Sequence, residues 1–145
     1  MIAIDTNVLL RYLLQDDEKQ SQKATALIHS CSSVLVTDVV LCETLWTLKG
    51  KKYQLARSDL LAVIDRLFRE RNIRFEEGQV IWRAYRDFAE AVPVKIAGGK
   101  KKWPDFADIL IINKARHMAE AERETFEGAF TFDIAAQQID GAERP

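Results

Sequence analysis

Four acidic residues stand where a chain of this kind can do chemistry: Asp5, Glu43, Asp108 and Asp133. Asp5 directly follows the apolar run Met1-Ile2-Ala3-Ile4, and Asp133 directly follows Ala129-Phe130-Thr131-Phe132. Glu43 lies one turn into a helical segment that starts near Val39, and Asp108 falls in the first turn of one that starts at Phe106. Taken singly, each reads as a helix cap or a hydrogen-bonded acid. Taken together they raise an electrostatic problem. Two carboxylates about 4 Å apart repel by roughly 1 kcal/mol in water and about 4 kcal/mol at an effective dielectric near 20. Several such pairs rival a domain's whole stability of about 5 to 15 kcal/mol. A gathered set must therefore take up protons, recruit arginines or bind a cation. Oxygen-only ligands select a hard ion, Mg²⁺ or Mn²⁺, which keeps several waters and leaves room for a phosphate. Phosphodiester hydrolysis is the chemistry that such an ion supports.

The elements that must position these acids follow from hydrophobic periodicity. Short β-rich runs at Met1–Ile4, Val34–Thr37, Ile73–Phe75 and Ala129–Phe132 predict strands. Helices are predicted over Val8–Leu14, Gln20–Ser30, Val39–Leu48, Ser58–Arg71, Val80–Ala91 and Phe106–Ala121, with Asp38 and Ser58 as caps. Pro93 to Pro104, with its Gly98-Gly99 pair, reads as a loop. Strands alternating with helices predict an α/β protein, a three-layer α/β/α sandwich around a parallel sheet of roughly four to five strands. Ligands of such sheets bind where strands end and the following helices begin. The spacing of Val39, Cys42, Glu43 and Trp46, and of Asp108, Ile111, Ile112 and Ala115, predicts that Glu43 and Asp108 face inward.

The bulk properties limit the alternatives. A length of 145 residues suits one domain over the whole chain, and 48% hydrophobic with 30% charged residues is ordinary globular composition. No apolar run reaches membrane length, and no basic leader precedes the first strand, so the sequence predicts a cytoplasmic protein without a membrane span. Cys31 and Cys42 read as buried thiols, and no Cys/His spacing suits zinc. The net charge of −1 balances 21 basic against 22 acidic residues, so any nucleic-acid signal must be local. One candidate is Lys100, Lys101, Lys102 and Trp103, a basic loop with an aromatic just before the Asp108 helix.

Four segments, in order and spacing, resemble PIN domains: Asp5-Thr6-Asn7-Val8-Leu9-Leu10-Arg11, Asp38-Val39-Val40-Leu41-Cys42-Glu43, Phe106-Ala107-Asp108-Ile109-Leu110-Ile111, and Thr131-Phe132-Asp133. The likeness runs essentially from Met1 to Asp140, and specifically the chain resembles VapC-type toxins of bacterial and archaeal toxin–antitoxin pairs. It implies a PIN-like fold and a Mg²⁺- or Mn²⁺-dependent endoribonuclease with Asp5, Glu43, Asp108 and Asp133 as metal ligands. Asn7 and Thr131 would be polar supports. It further implies an RNA substrate, a homodimer and a small cognate antitoxin. The basic stretch from Val94 to Trp103 and the lack of a second polar residue after Asp133 depart from the pattern. Asp105 reads as an exposed helix cap, with an outer-shell role as the alternative.

Other functions remain in play. A haloacid-dehalogenase-like phosphatase also places an Asp after its first strand, but Asn7 stands where its general acid would be. A phosphoacceptor receiver domain would need an acceptor Asp and a later strand-end Lys, which are not evident. A non-catalytic PIN-like RNA-binding protein would carry the same ligands in a poorer geometry.

Overall fold

The computed structural model describes all of residues 1–145. The chain divides into two compact units, Met1–Gly78 and Gln79–Pro145.

In the first unit, β1 (Ile2–Ala3), β2 (Val34–Val36) and β3 (Ile73–Phe75) form a parallel sheet in the order β1-β2-β3. Ile2 is opposite Val34, and Val34 is opposite Ile73. The central strand is the most buried, with Val34 and Val36 fully enclosed. Its continuous β-branched and aliphatic character suits a strand covered on both faces. Four helices accompany the sheet: α1 (Thr6–Leu14), α2 (Glu18–Ser30), α3 (Asp38–Lys49) and α4 (Arg57–Arg69). Leu9, Ile28, Leu41, Leu48, Ile64 and Leu67, all fully buried, supply most of the core.

Local signals set the helix starts. Asp17 accepts from the Gln20 N–H at 2.8 Å to cap α2. For α3 the cap is Thr37, one residue before the expected Asp38. The α4 helix begins at Arg57, ahead of the expected cap Ser58. There the Asp59 carboxylate accepts from the Ala56 N–H at 3.0 Å, satisfying a backbone group that an alanine side chain cannot. Asn72 closes the other end of α2: its amide donates to the Ile28 and Cys31 carbonyls at 2.7 and 3.0 Å, while its own carbonyl accepts from the Val34 N–H. One residue thus ties the end of α2, through its side chain, to β2, through its backbone, just before β3 begins.

The second unit contains α5 (Gly78–Glu90, begun in the last residue of the first unit), a β4–β5 hairpin (Val94–Lys95 with Lys101–Lys102), α6 (Phe106–Glu122) and a parallel pair, β6 (Ala129–Phe130) with β7 (Ala142–Glu143). The stretch Pro93 to Pro104, expected as a loop, is therefore a hairpin. Its reversal is made by Gly98 and Gly99 at φ 82° and 74°, a conformation that side chains resist. The parallel sheet has three strands, fewer than the sequence predicts, because β6 pairs with β7 instead of joining it. Buried Asn113 of α6 donates to Asp87 of α5 at 2.8 Å, and Phe88 meets Phe106 edge-on. Both cysteines are free thiols, and no helix is long and apolar enough to cross a membrane.

Replacing Asn72 with Ala removes two hydrogen bonds to carbonyls at the end of α2, of which Ile28's still accepts from the Cys31 N–H at 3.3 Å. Urea unfolding should show a loss of about 1 to 3 kcal/mol. A midpoint unchanged from the parent protein would show that Asn72 carries no such role.

Candidate functional site

At the end of β1 the chain turns through Asp5, whose extended backbone (φ −89°, ψ 175°) makes it the N-cap of α1. Its Oδ1 accepts from the Val8 N–H at 2.9 Å. That anchors a carboxylate at the positive end of the helix dipole. The next residue reaches across to α3: Thr6 Oγ1 donates to Glu43 Oε2 at 2.6 Å, a charge-assisted bond. Asp5, Thr6, Asn7, Glu43, Trp46 and Thr47 line one cavity of about 360 Å³. Every lining residue but the tryptophan carries side-chain oxygen. Thr6 was not among the expected supports, although it stands inside the Asp5-Thr6-Asn7 motif. Its hydroxyl could be placed only by knowing which way Glu43 points.

Glu43 points outward, against expectation. Val39 and Trp46 on its stripe are 68% and 73% exposed, while Leu41, Thr44, Leu45 and Leu48 form the buried face of α3. Two stripes of this helix are largely apolar. Burying the leucine stripe costs no carboxylate desolvation, whereas burying the other would. Cys42, beside Glu43, is half-buried, and burial followed by the charge of Asp38 pushes its thiol up to about 11.

The α6 stripe is likewise corrected. Phe106, Ile109, Leu110, Ile112 and Asn113 are buried; of the expected inward row through Asp108, Ile112 is buried, Asp108 and Ala115 are half-buried, and Ile111 is 61% exposed. Asp108 does occupy the first helical turn and is half-buried. Asp105 holds the N-cap position of α6, as expected, but is half-buried and makes no side-chain capping hydrogen bond.

Asp133 lies three residues past β6, not directly after the strand. A local turn holds it: its N–H donates to Thr131 Oγ1 at 3.0 Å, and its Oδ1 accepts from the Ala136 N–H at 2.9 Å. Its Oδ2 accepts from Lys102 Nζ of β5 in an ion pair. Lys102, expected to meet RNA, is thus committed to Asp133, while Lys100 and Lys101 remain exposed and Trp103 is 42% exposed. The hydrogen bond to Asp133 raises the Lys102 ammonium above its usual range against the pull of burial, and the charges of Asp133, Asp105 and Asp108 add to it. For Asp133, burial pulls its carboxyl upward, but the Lys102 hydrogen bond, helped by backbone N–H donors, outweighs burial and holds it below the usual range.

The acids are therefore met in two sets. Asp5 and Glu43 share a cavity in the first unit, and Asp133, Asp108 and Asp105 act on one ammonium in the second. No group of three or more His, Cys, Asp or Glu side chains is placed to hold a metal ion. The donor chemistry of the first set, two carboxylates beside a hydroxyl and an amide, fits a hard divalent cation.

The PIN domain family model matches residues 2–142, across both units. The chain belongs to the PIN-domain family. No curated protein and no solved structure matches it. Membership places this PIN domain in the three-layer α/β/α fold class and in a family of nucleases that act on RNA, typically metal-dependent hydrolases.

Two measurements check the electrostatics. Because the folded Asp133 carboxyl is lowered, its contribution to stability is present above the ordinary carboxylate range and lost as pH falls through the lowered value. The raised Lys102 contributes below the ordinary lysine range and loses its part as pH rises through the raised value. In Lys102→Met, burial is left less opposed, so the Asp133 titration followed by NMR should move up; an unmoved midpoint would remove Lys102 as its counter-ion. Alkylation of Cys42, followed by mass spectrometry, should stay slow at pH 8, where about one thiol in a thousand is ionised, and accelerate towards pH 11. Rapid labelling near neutrality would contradict the burial of that thiol.

Proposed function

We propose that this chain is a Mg²⁺- or Mn²⁺-dependent endoribonuclease, a single PIN-like domain over residues 1–145, acting as the toxin of a VapBC-type pair. The observation that carries the reading is the oxygen-lined cavity holding Asp5 and Glu43, in a chain that the family model matches from residue 2 to 142. The toxin assignment, with its small antitoxin, homodimer and cytoplasmic setting, rests on the resemblance of the four motif segments to VapC-type proteins. The same motifs nominate Asp5, Glu43, Asp108 and Asp133 as the residues that hold the cation. When bound, such a cation supplies charge against the phosphate oxygens and acidifies a coordinated water.

The chain's own residues have separate tasks. Asp5 presents a carboxylate whose Oδ1 is fixed by the α1 cap. Thr6 orients Glu43 through its hydroxyl, leaving Oε1 outside that bond. Asn7 adds an amide to the cavity, able both to donate and to accept. Thr131 sets the turn that aims Asp133. Lys100 and Lys101 with Trp103 supply exposed charge and an aromatic for RNA outside the acid sets. A non-catalytic RNA-binding role uses the same parts and differs only in turnover.

Incubating the purified protein with total RNA and Mg²⁺ or Mn²⁺ decides between them. Cutting that requires the cation and disappears in Asp5→Asn is the expected result; binding without cutting would install the non-catalytic reading. Thr6→Val leaves both acids in place but releases Glu43, and should reduce cation affinity or cleavage by about 10- to 100-fold. Wild-type values in that variant would show that the 2.6 Å bond does not position Glu43.

A further inference from the structure

The outward face of α3 carries an unexplained exposure. Trp46 is 73% exposed, although indole is among the side chains that gain most from burial. It is one turn beyond Glu43 and lines the same cavity as Asp5, Thr6, Asn7, Glu43 and Thr47. The cavity volume of about 360 Å³ lies within the range of small-ligand pockets, about 300 to 1,000 Å³. An apolar plate thus stands against a wall of hydroxyl, amide and carboxylate groups. That combination suits a ligand with a flat π-face and a polar edge.

We propose that Trp46 is the stacking platform of a nucleobase subsite, which seats an unpaired base of single-stranded RNA beside the Asp5 and Glu43 carboxylates. The assignment rests on the nuclease reading and names how its substrate is held. A base stacked on the indole keeps its edge free for the side chains of Asn7 and Thr47, which offer both donors and acceptors. Stacking tolerates every base because each has a π-face, so Trp46 selects strandedness more than sequence. A base inside a duplex has both faces covered and cannot reach the platform without leaving its stack.

A protein partner is the competing occupant, since Val39 on the same face is 68% exposed. The cavity argues against it. The residues around Trp46 that line the cavity are all polar, whereas the core of a protein interface is depleted in charged residues.

The test uses the whole protein and a short single-stranded RNA, with Ca²⁺ replacing the catalytic cation so that binding is read apart from cutting. The Trp46 fluorescence is isolated as the difference between wild type and Trp46→Phe. Single-stranded RNA should quench it; the same RNA made abasic, or annealed into a duplex, should not. Trp46→Ala should bind single-stranded RNA about 5- to 150-fold more weakly, the range of one base–aromatic stack, and Trp46→Phe should keep most of the affinity. Because the indole is exposed, both variants should retain the parent circular dichroism and melting temperature. RNA bound and cut normally by Trp46→Ala would overturn the subsite and leave the nuclease reading standing. RNA neither bound nor cut by wild type would overturn both. A dimer that dissociates in Trp46→Ala and Val39→Ser, with RNA affinity unchanged, would assign the face to a protein partner and overturn the subsite.

Discussion

An ionised carboxylate needs a positive charge or hydrogen-bond donors close by, and much of this molecule's local architecture answers that need. Asp5 is met by the open end of a helix, Glu43 by a threonine hydroxyl, and Asp133 by a lysine and a turn of backbone N–H groups. These solutions differ in strength. Helix ends and hydroxyls share a charge without cancelling it, so the bonds to Asp5 and Glu43 leave net negative charge in their cavity. Lys102 sets a full positive charge against Asp133, which of these three carboxylates is the one met by an ammonium.

That difference bears on where added positive charge gains most. The Asp5 and Glu43 cavity has no lysine or arginine among its lining residues. At Asp133 added charge must compete with an ammonium tethered by the β4–β5 hairpin. The hairpin is thus more than a connection between helices: its glycine reversal sets the register that brings Lys102 to the acid.

How far this was legible in the sequence depended on whether local signals competed. The runs around Ile2, Val34 and Ile73 had nothing against them and became the three strands. The helix interiors followed their periodicity, and their ends shifted by a residue or two wherever several polar residues could cap. The facing of α3 and α6 was not legible, since both helices are apolar on more than one side and periodicity alone cannot choose between stripes. The β4–β5 hairpin was hidden because flanking prolines and paired glycines mark a break without saying what the chain does around it. Of the candidate site, the identities of the acids were visible and their partners were not. Thr6 and Lys102 depend on contacts 37 and 31 residues away in the chain, which no window of local sequence contains.

The outward turn of the Glu43 stripe ties these strands together. Had the helix buried Val39, Cys42 and Trp46, it would have gained apolar contact and taken Glu43 out of water with them. Burying Leu41, Leu45 and Leu48 yields comparable apolar contact and leaves the carboxylate hydrated, within reach of Thr6 and of Asp5's cavity. The consequence is a tryptophan held in solvent next to acidic oxygen. The chemistry of α3 is thus a matter of which face it shows as much as of which residues it carries.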